Sequence, residues 1–322
     1  MTGFAVRRLG AALVTVLAAV TVSFVLAHLA PGDPIVGDAE RLRADPAVVV
    51  RLQAQFGLDR PLPEQYARYV ANAARGNLGE SFVLHRSVSS LLAERLPNTL
   101  MLAGAAVAAS FGLGLAVALL QARAAGTWLD GLLGTATLVF YSMPSFWLGL
   151  VLLIVFGQTL GWLPLGGMTA PGAPDDASAA ARALDVLRHL VLPAATLALV
   201  QTAVVARYQR GALVDTLGEP YIRAARARGL AERVVLLRHA LRASLAPAVT
   251  LAGTSVPALL AGSVLVETVF GWPGMGRLTH DAIQARDYNL IFGAALTAGV
   301  LVALGNLAAD LATAALDPRH RK

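Results

Sequence analysis

The chain contains no cysteine. Disulfide staples, thiolate nucleophiles and Cys-ligated zinc or iron–sulfur centres are therefore excluded, and no outward-facing segment depends on an oxidised pair. Lysine is almost missing too, because the 26 Lys+Arg comprise 25 arginines and the single Lys322 at the last position. That rules out a G-x-x-x-x-G-K-[ST] phosphate loop and an interior Schiff-base lysine. Energy for any work must come from a partner or a gradient. Neither an H-E-x-x-H pair nor a G-x-S-x-G elbow occurs, so no catalytic group, cofactor or metal is expected. Charge is scarce as well: 14% of residues are charged, against about 25% in a soluble domain.

What fills the chain instead is apolar. The 322 residues are 56% hydrophobic, with a mean hydropathy of +0.62. Such a chain lacks the polar surface of a water-soluble globule, whereas lipid accepts outward-facing apolar side chains once helices satisfy the backbone. At about 20 residues per crossing, there is room for about six spans. The net charge of +6 is no nucleic-acid footprint, because the arginines lie between apolar runs rather than on a basic domain.

Apolar runs lie at about 9–30, 99–121, 131–157, 190–206, 246–268 and 290–315. The first follows Arg7 and Arg8 and is too long for a signal-peptide core, so it reads as an uncleaved span. Pro144 and Pro257 are expected to kink the third and fifth. Residues 31–97 differ, with eight arginines balanced by eight carboxylates. Helical patterns at 46–56 and 63–74 flank a turn at 57–61. The expectation is an all-α polytopic membrane protein of six transmembrane helices with a small polar extracytoplasmic subdomain. Its parts would be a first helix (1–30), the subdomain (31–97), a five-helix core (98–316) containing a cytoplasmic loop (209–245), and a cytoplasmic tail (317–322).

An even number of spans puts both termini on one side. With the termini inside, inner segments hold 14 basic residues against five acids, and outer segments 12 against fourteen. Short segments beside the spans bias insertion most, and the termini and the loop after the fourth span agree with a cytoplasmic placement. Glycines recurring as Gly112/Gly114, Gly131/Gly134 and Gly293/Gly299/Gly305 would let helix backbones approach in lipid.

Residues 207–247 far exceed the 2–8 residues that connect antiparallel helices. Glu219-Pro220 reads as a helix start, with Pro at the first position and an acid near the positive end of the dipole. Gly229 stops it. On that rod Tyr221, Ala224, Ala225 and Arg228 fall at i, i+3, i+4 and i+7, and a second helix over about 231–244 returns the chain to the fifth span. Small alanines beside an aromatic anchor suit docking into a groove; a solvated surface helix is the other reading of the same residues.

This loop resembles the EAA loop of ABC-transporter permeases. Ala224, Ala225 and Gly229 hold the Ala, Ala and Gly positions and Leu241 the Leu position, while Arg223 replaces the Glu, His239 the Ile and Arg242 the Pro. Y-I-R-A-A-R-A-R-G-L followed by L-R-H-A-L-R is similar to the dipeptide/oligopeptide/nickel branch. So are A-P-G-D-P at 30–34, F-G-L-D-R-P-L at 56–62, G-N-L-G-E-S at 76–81 and E-R-L-P-N-T-L at 94–100. E-T-V-F-G-W-P-G-M-G-R-L at 267–278, A-R-D-Y at 285–288 and N-L-A-A-D-L-A-T-A-A-L-D-P-R at 306–319 complete the set. The resemblance implies the B-type permease of a type I importer for peptides or a related solute. It implies a second permease subunit, two ATPase subunits and an extracytoplasmic solute-binding protein as partners. Coupling to the ATPases would run through Glu219, Tyr221, Ala224, Ala225, Arg228 and Gly229.

Ionisable groups within spans are costly and therefore candidates for function. Asn306, Asp310, Thr313 and Asp317 share one face of the last span and are expected to point into the protein. Asn306 and Asp310 are candidates for the translocation pathway; a structural bond to a neighbouring helix is the other reading of Asp310. Trp272 suits the outer membrane interface, and 267–278 reads either as a landing surface for the binding protein, with the polar layer, or as a re-entrant turn. The alternative from another class is a gradient-driven transporter or channel, whose mark would be paired charges within spans or an inverted repeat.

Overall fold

The computed structural model describes residues 2–29, 60–172 and 178–316. Helices α1 (Thr2–Leu29), α2 (Leu62–Ala74), α3 (Val88–Arg123), α4 (Trp128–Ser142), α5 (Ser145–Thr159) and α6 (Ala179–Leu217) form the first part. They are followed by α7 (Pro220–Ala227), α8 (Glu232–Ala243), α9 (Ala246–Val269), α10 (Met275–Ala285) and α11 (Tyr288–Leu316). Among the described residues, extended pairing is limited to one bridge between Glu80 and Ser87.

Among the described residues four helices, α1, α3, α6 and α11, are each long and apolar enough to cross a membrane. The pair α4–α5 passes only jointly, across a 105° corner, and α8 with the start of α9 does so across a 54° bend. The α4–α5 corner has a local cause. Met143 precedes a proline and adopts extended backbone (φ −81°, ψ 134°), the conformation that Pro144 imposes on its predecessor. The expected kink is thus a full corner.

Several helices outrun the apolar runs that announce them. α3 is 36 residues long with Pro97 inside it, so the subdomain boundary expected at 97 falls within a continuous helix. α6 is 39 residues long and reaches Leu217, so the loop expected from 209 begins as helix. The helix expected over 63–74 is α2; that expected over 46–56 lies outside the described residues.

The bundle is centred on α3 and α6, which pack along each other, with α11 against α1 and α9. Three apolar clusters hold it. One joins Leu102 and Ala106 of α3 to Leu190 and Leu197 of α6, and to Phe270 and Trp272. A second joins Val88 and Leu92 to Met275, Leu290 and Ala294. The third joins Ala118 and Ala122 of α3 and Leu213 of α6 to Ile222 and Ala225 of α7 and Val235 and Ala240 of α8. Close approach explains part of the glycine pattern. A Cβ on Gly114 would lie 2.6 Å from Val205, on Gly293 2.4 Å from Val88 and on Gly299 2.9 Å from Ala19, whereas Gly112 and Gly131 face open space. α1 is peripheral, with Leu9, Leu13, Val14 and Val22 all more than half exposed, as a lipid-facing helix requires.

Candidate functional site

The short helix α7 stands at one end of the bundle. Pro220 occupies its first turn and Glu219 its N-cap, where a missing N–H is no loss. Its far end closes as a Schellman turn: the Gly229 amide donates to the Arg226 carbonyl at 2.9 Å and the Leu230 amide to the Ala225 carbonyl at 3.4 Å. Gly229 has φ +79° and open space where a Cβ would be. Backbone conformation alone therefore calls for glycine there.

A bidentate ion pair spans this turn. Arg226 donates through Nε to Oε2 of Glu232 at 3.1 Å and through Nη2 to Oε1 at 2.8 Å. The Arg226 guanidinium holds the Glu232 carboxyl below its ordinary range.

The face expected from spacing is divided by the packing. Ile222 and Ala225, at i and i+3, are buried in the third cluster and seat α7 on α3, α6 and α8. Tyr221 (47% exposed), Ala224 and Arg228, with Glu219 and Gly229, remain open to solvent. Ala225 thus belongs to the seat, not to the exposed face, because it follows Ile222 inward.

At the opposite end, distant motifs close on one another. Glu267 of α9 is fully buried and accepts from Thr99 Oγ1 and from the Arg277 amide, both at 2.9 Å. Thr99 Oγ1 also accepts from the Met275 amide at 2.7 Å. The first turn of α10 is thus capped by a carboxylate and a hydroxyl from other helices, which answers its orphan N–H groups and its dipole. Gly274 and Gly276 make room: a Cβ on Gly274 would sit 2.3 Å from Glu267 Oε2, and one on Gly276 2.7 Å from the Val264 Cα.

Trp272 is fully buried, with its indole N–H donating to the Asn98 carbonyl at 3.0 Å, while Asn98 Nδ2 donates to the Pro273 carbonyl at 2.9 Å. Trp272 is therefore a core residue rather than an interfacial one. The 267–278 segment is a helix end, a tight turn and a helix start, with the Arg277 side chain exposed.

A second closure joins 76–81 to 285–288. The Asp287 carboxylate, 1% exposed, accepts from Ser81 Oγ, from the Val83 amide at 3.3 Å and, as the cap of α11, from the Leu290 amide at 3.3 Å. Asn289 Nδ2 donates to the Glu80 carbonyl at 2.9 Å.

Comparison with known proteins places these motifs. The family described as binding-protein-dependent transport system inner membrane component matches residues 110–322, and the N-terminal model of the same system matches residues 1–103. The di/tripeptide transport system permease protein of Pseudomonas aeruginosa is 38% identical over 335 residues, covering 100% of this chain and 99% of the relative. The glutathione transport system permease protein of Pectobacterium atrosepticum is 36% identical over 321 residues, with the same coverage. The oligopeptide transport system permease protein of Bacillus subtilis is 35% identical over 324 residues, covering 99% of each chain.

The chain belongs to the binding-protein-dependent inner membrane permease family. As an inner membrane permease it is a transport component rather than an enzyme, and it works in a complex with other ABC subunits. The gradient-driven alternative does not stand beside that membership.

On this permease the pathway candidates are less well placed than α7. Asn306 of α11 is exposed in the single chain, not turned into it as the shared stripe suggests. α11 instead buries Leu290, Ala294, Leu296 and Ala303. Asp310 lies on α11, but its side chain is outside the described set, as are those of Thr313 and Asp317.

Two polar pairings at the α7 end of the permease escape the sequence reading, which takes Arg210 as a marker of the inner membrane boundary. Arg210 of α6 forms a fork to Asp130 of α4, and the buried Gln209 reaches Ser244. The available signal was an acid and an arginine bracketing two apolar runs, which spacing along one chain cannot pair.

Proposed function

We propose that this permease forms one half of the translocation pathway of an ATP-driven importer for di- or oligopeptides or a related small solute. A second permease subunit supplies the other half, two ATPase subunits drive it, and an extracytoplasmic solute-binding protein delivers the cargo. Both termini and α7 lie on the cytoplasmic side of the inner membrane. The observation that carries the reading is α7 itself: a helix seated by Ile222 and Ala225, locked by the Gly229 turn, presenting Tyr221, Ala224 and Arg228 outward. Such an aromatic beside a small residue on a rigid rod fits a groove on a partner, and the full-length likeness to peptide and glutathione permeases supports the reading.

Mechanism follows from the seat. Closure of the ATPases on ATP displaces α7, and α7 cannot move without α3, α6 and α8, to which it is packed. The helices then rock so that the pathway opens alternately to each side. No bond in the cargo is made or broken. Residues 31–97 and the exposed side of α10 receive the binding protein, lipid surrounds α1, and α11, which carries Asn306 and Asp310, borders the pathway.

Substitutions on the two faces of α7 separate docking from seating. Tyr221→Ala and Ala224→Trp leave the permease folded but reduce ATPase co-purification and uptake at least about tenfold, a loss of about 1.4 kcal/mol. Ala225→Leu instead overpacks the seat and lowers the stability of the permease by about 1–3 kcal/mol. Unchanged co-purification and uptake with Ala224→Trp would refute the docking role.

A further inference from the structure

Two adjacent residues near the end of α6 reach in different directions. Arg210 sets Nε 2.7 Å from Oδ1 of Asp130 and Nη2 2.5 Å from Oδ2. Asp130 lies in the first turn of α4, its side chain is 10% exposed, and it also accepts from the Gly126 amide at 3.1 Å. Gln121 of α3 donates to the Asp130 carbonyl at 3.3 Å. The α3–α4 turn, α4 and α6 thus share one polar joint.

Gln209 is fully buried and faces Ser244, donating from Nε2 to the Ser244 hydroxyl at 2.8 Å and its carbonyl at 3.1 Å. A carbonyl only accepts, so this bond fixes which way the amide points. Its Oε1 is buried without a hydrogen-bond partner; the amide is held by its donors. Ser244 is the residue at which α8 ends, two positions before α9 begins.

We infer that Gln209 and Arg210 form a transmission node. Displacement of α7 and α8 is carried through Ser244 to α6, and through Arg210 to Asp130 and the α4 arm that ends in the 105° corner. The inference rests on α7 being the ATPase peg. It adds that α4 is driven from α6, by residues that position helices and do not touch cargo. A planar, bidentate arginine suits this role because it transmits orientation as well as charge, which a lysine ammonium does not.

This chain has no native cysteine, so labels can be placed in it at chosen positions. Spin labels are placed in the assembled complex, in nanodiscs, as Leu138→Cys on α4 with Leu13→Cys on α1, and separately as Leu265→Cys on α9 with Leu13→Cys. Distances are measured without nucleotide and with ATP and vanadate. Trapping is expected to shift both distances in the otherwise unaltered chain. Arg210→Gln and Asp130→Asn lose the α4 shift and keep the α9 shift, and the exchange Asp130→Arg with Arg210→Asp restores it. Arg210→Lys, which keeps the charge and loses the fork, guards against a folding defect and is expected to reduce the α4 shift in a normally assembled complex. An α4 shift that persists in Arg210→Gln, or in full in Arg210→Lys, overturns the node while leaving the peg intact. Absence of both shifts in the otherwise unaltered chain overturns the peg, and the node with it.

Discussion

Glu267 shows how a charged side chain is kept inside an apolar bundle. Its carboxylate meets donors from α3 and from the first turn of α10, and two glycines let the backbone close over it. A buried polar group that is fully partnered is tolerated, but the same group with one partner mismatched is destabilising. Glu267→Gln turns an amide NH2 toward N–H donors that need an acceptor. It should lower stability by about 1–3 kcal/mol, read as a lower thermal unfolding midpoint of the detergent-solubilised permease; an unchanged midpoint would remove Glu267 from the closure.

The Arg226–Glu232 pair is a different case. Both side chains are more than 40% exposed, so solvent screens them and the pair contributes less than about 1 kcal/mol. Arg226 holds the Glu232 carboxyl below its ordinary range, so the stabilisation is complete above that range and is lost as pH falls through the lowered value. The α7–α8 turn should keep its order through the ordinary carboxylate range and loosen only at pH values below it. A titration of Glu232 followed by carboxyl NMR signals in a labelled permease checks this, and a midpoint at or above about 4.3 contradicts it.

At the scale of elements, the start and stop of α7 are legible because both are local. Pro220 opens a helix wherever its N–H is not needed, and Gly229 closes one by adopting a left-handed backbone. Which side of α7 turns inward is not local. Tyr221, Ala224, Ala225 and Arg228 span more than one face, and Ile222 decides the matter by drawing Ala225 into the cluster with Leu213 and Val235. The same limit explains Trp272. An indole beside Gly271 and Pro273 reads equally as an interfacial residue or as a core one, and only the Asn98 carbonyl, 174 positions away, distinguishes them. α3 begins eleven residues before its apolar run because Val88, Leu91 and Leu92 find cover against α10 and α11, which no window of hydropathy contains.

For the whole molecule the two ends differ in what they bind. One end gathers the 76–87 turn, α3 and α10 through buried carboxylates at Asp287 and Glu267; the other gathers the end of α8, α4 and the α3–α4 turn around Arg210 and Gln209. Exposed tryptophans mark both: Trp162 at the end of α5 and Trp128 at the start of α4 are each more than two-thirds exposed. In whole cells, Trp162→Cys should react with a membrane-impermeant maleimide while Tyr221→Cys reacts only after permeabilisation. The reverse pattern would invert the proposed orientation.

Composition alone made this a membrane protein, since an apolar fraction this large leaves too little polar surface for water. Local chemistry along the chain located the helix ends, the polar layer and the peg, because caps, prolines and periodicity act over a few residues. The inward or outward aspect of each face, the pairing of Asp130 with Arg210 and the closure over Glu267 were settled only by folding. Those contacts join residues from 80 to more than 160 positions apart, and no short-range rule couples residues that meet only when helices pack.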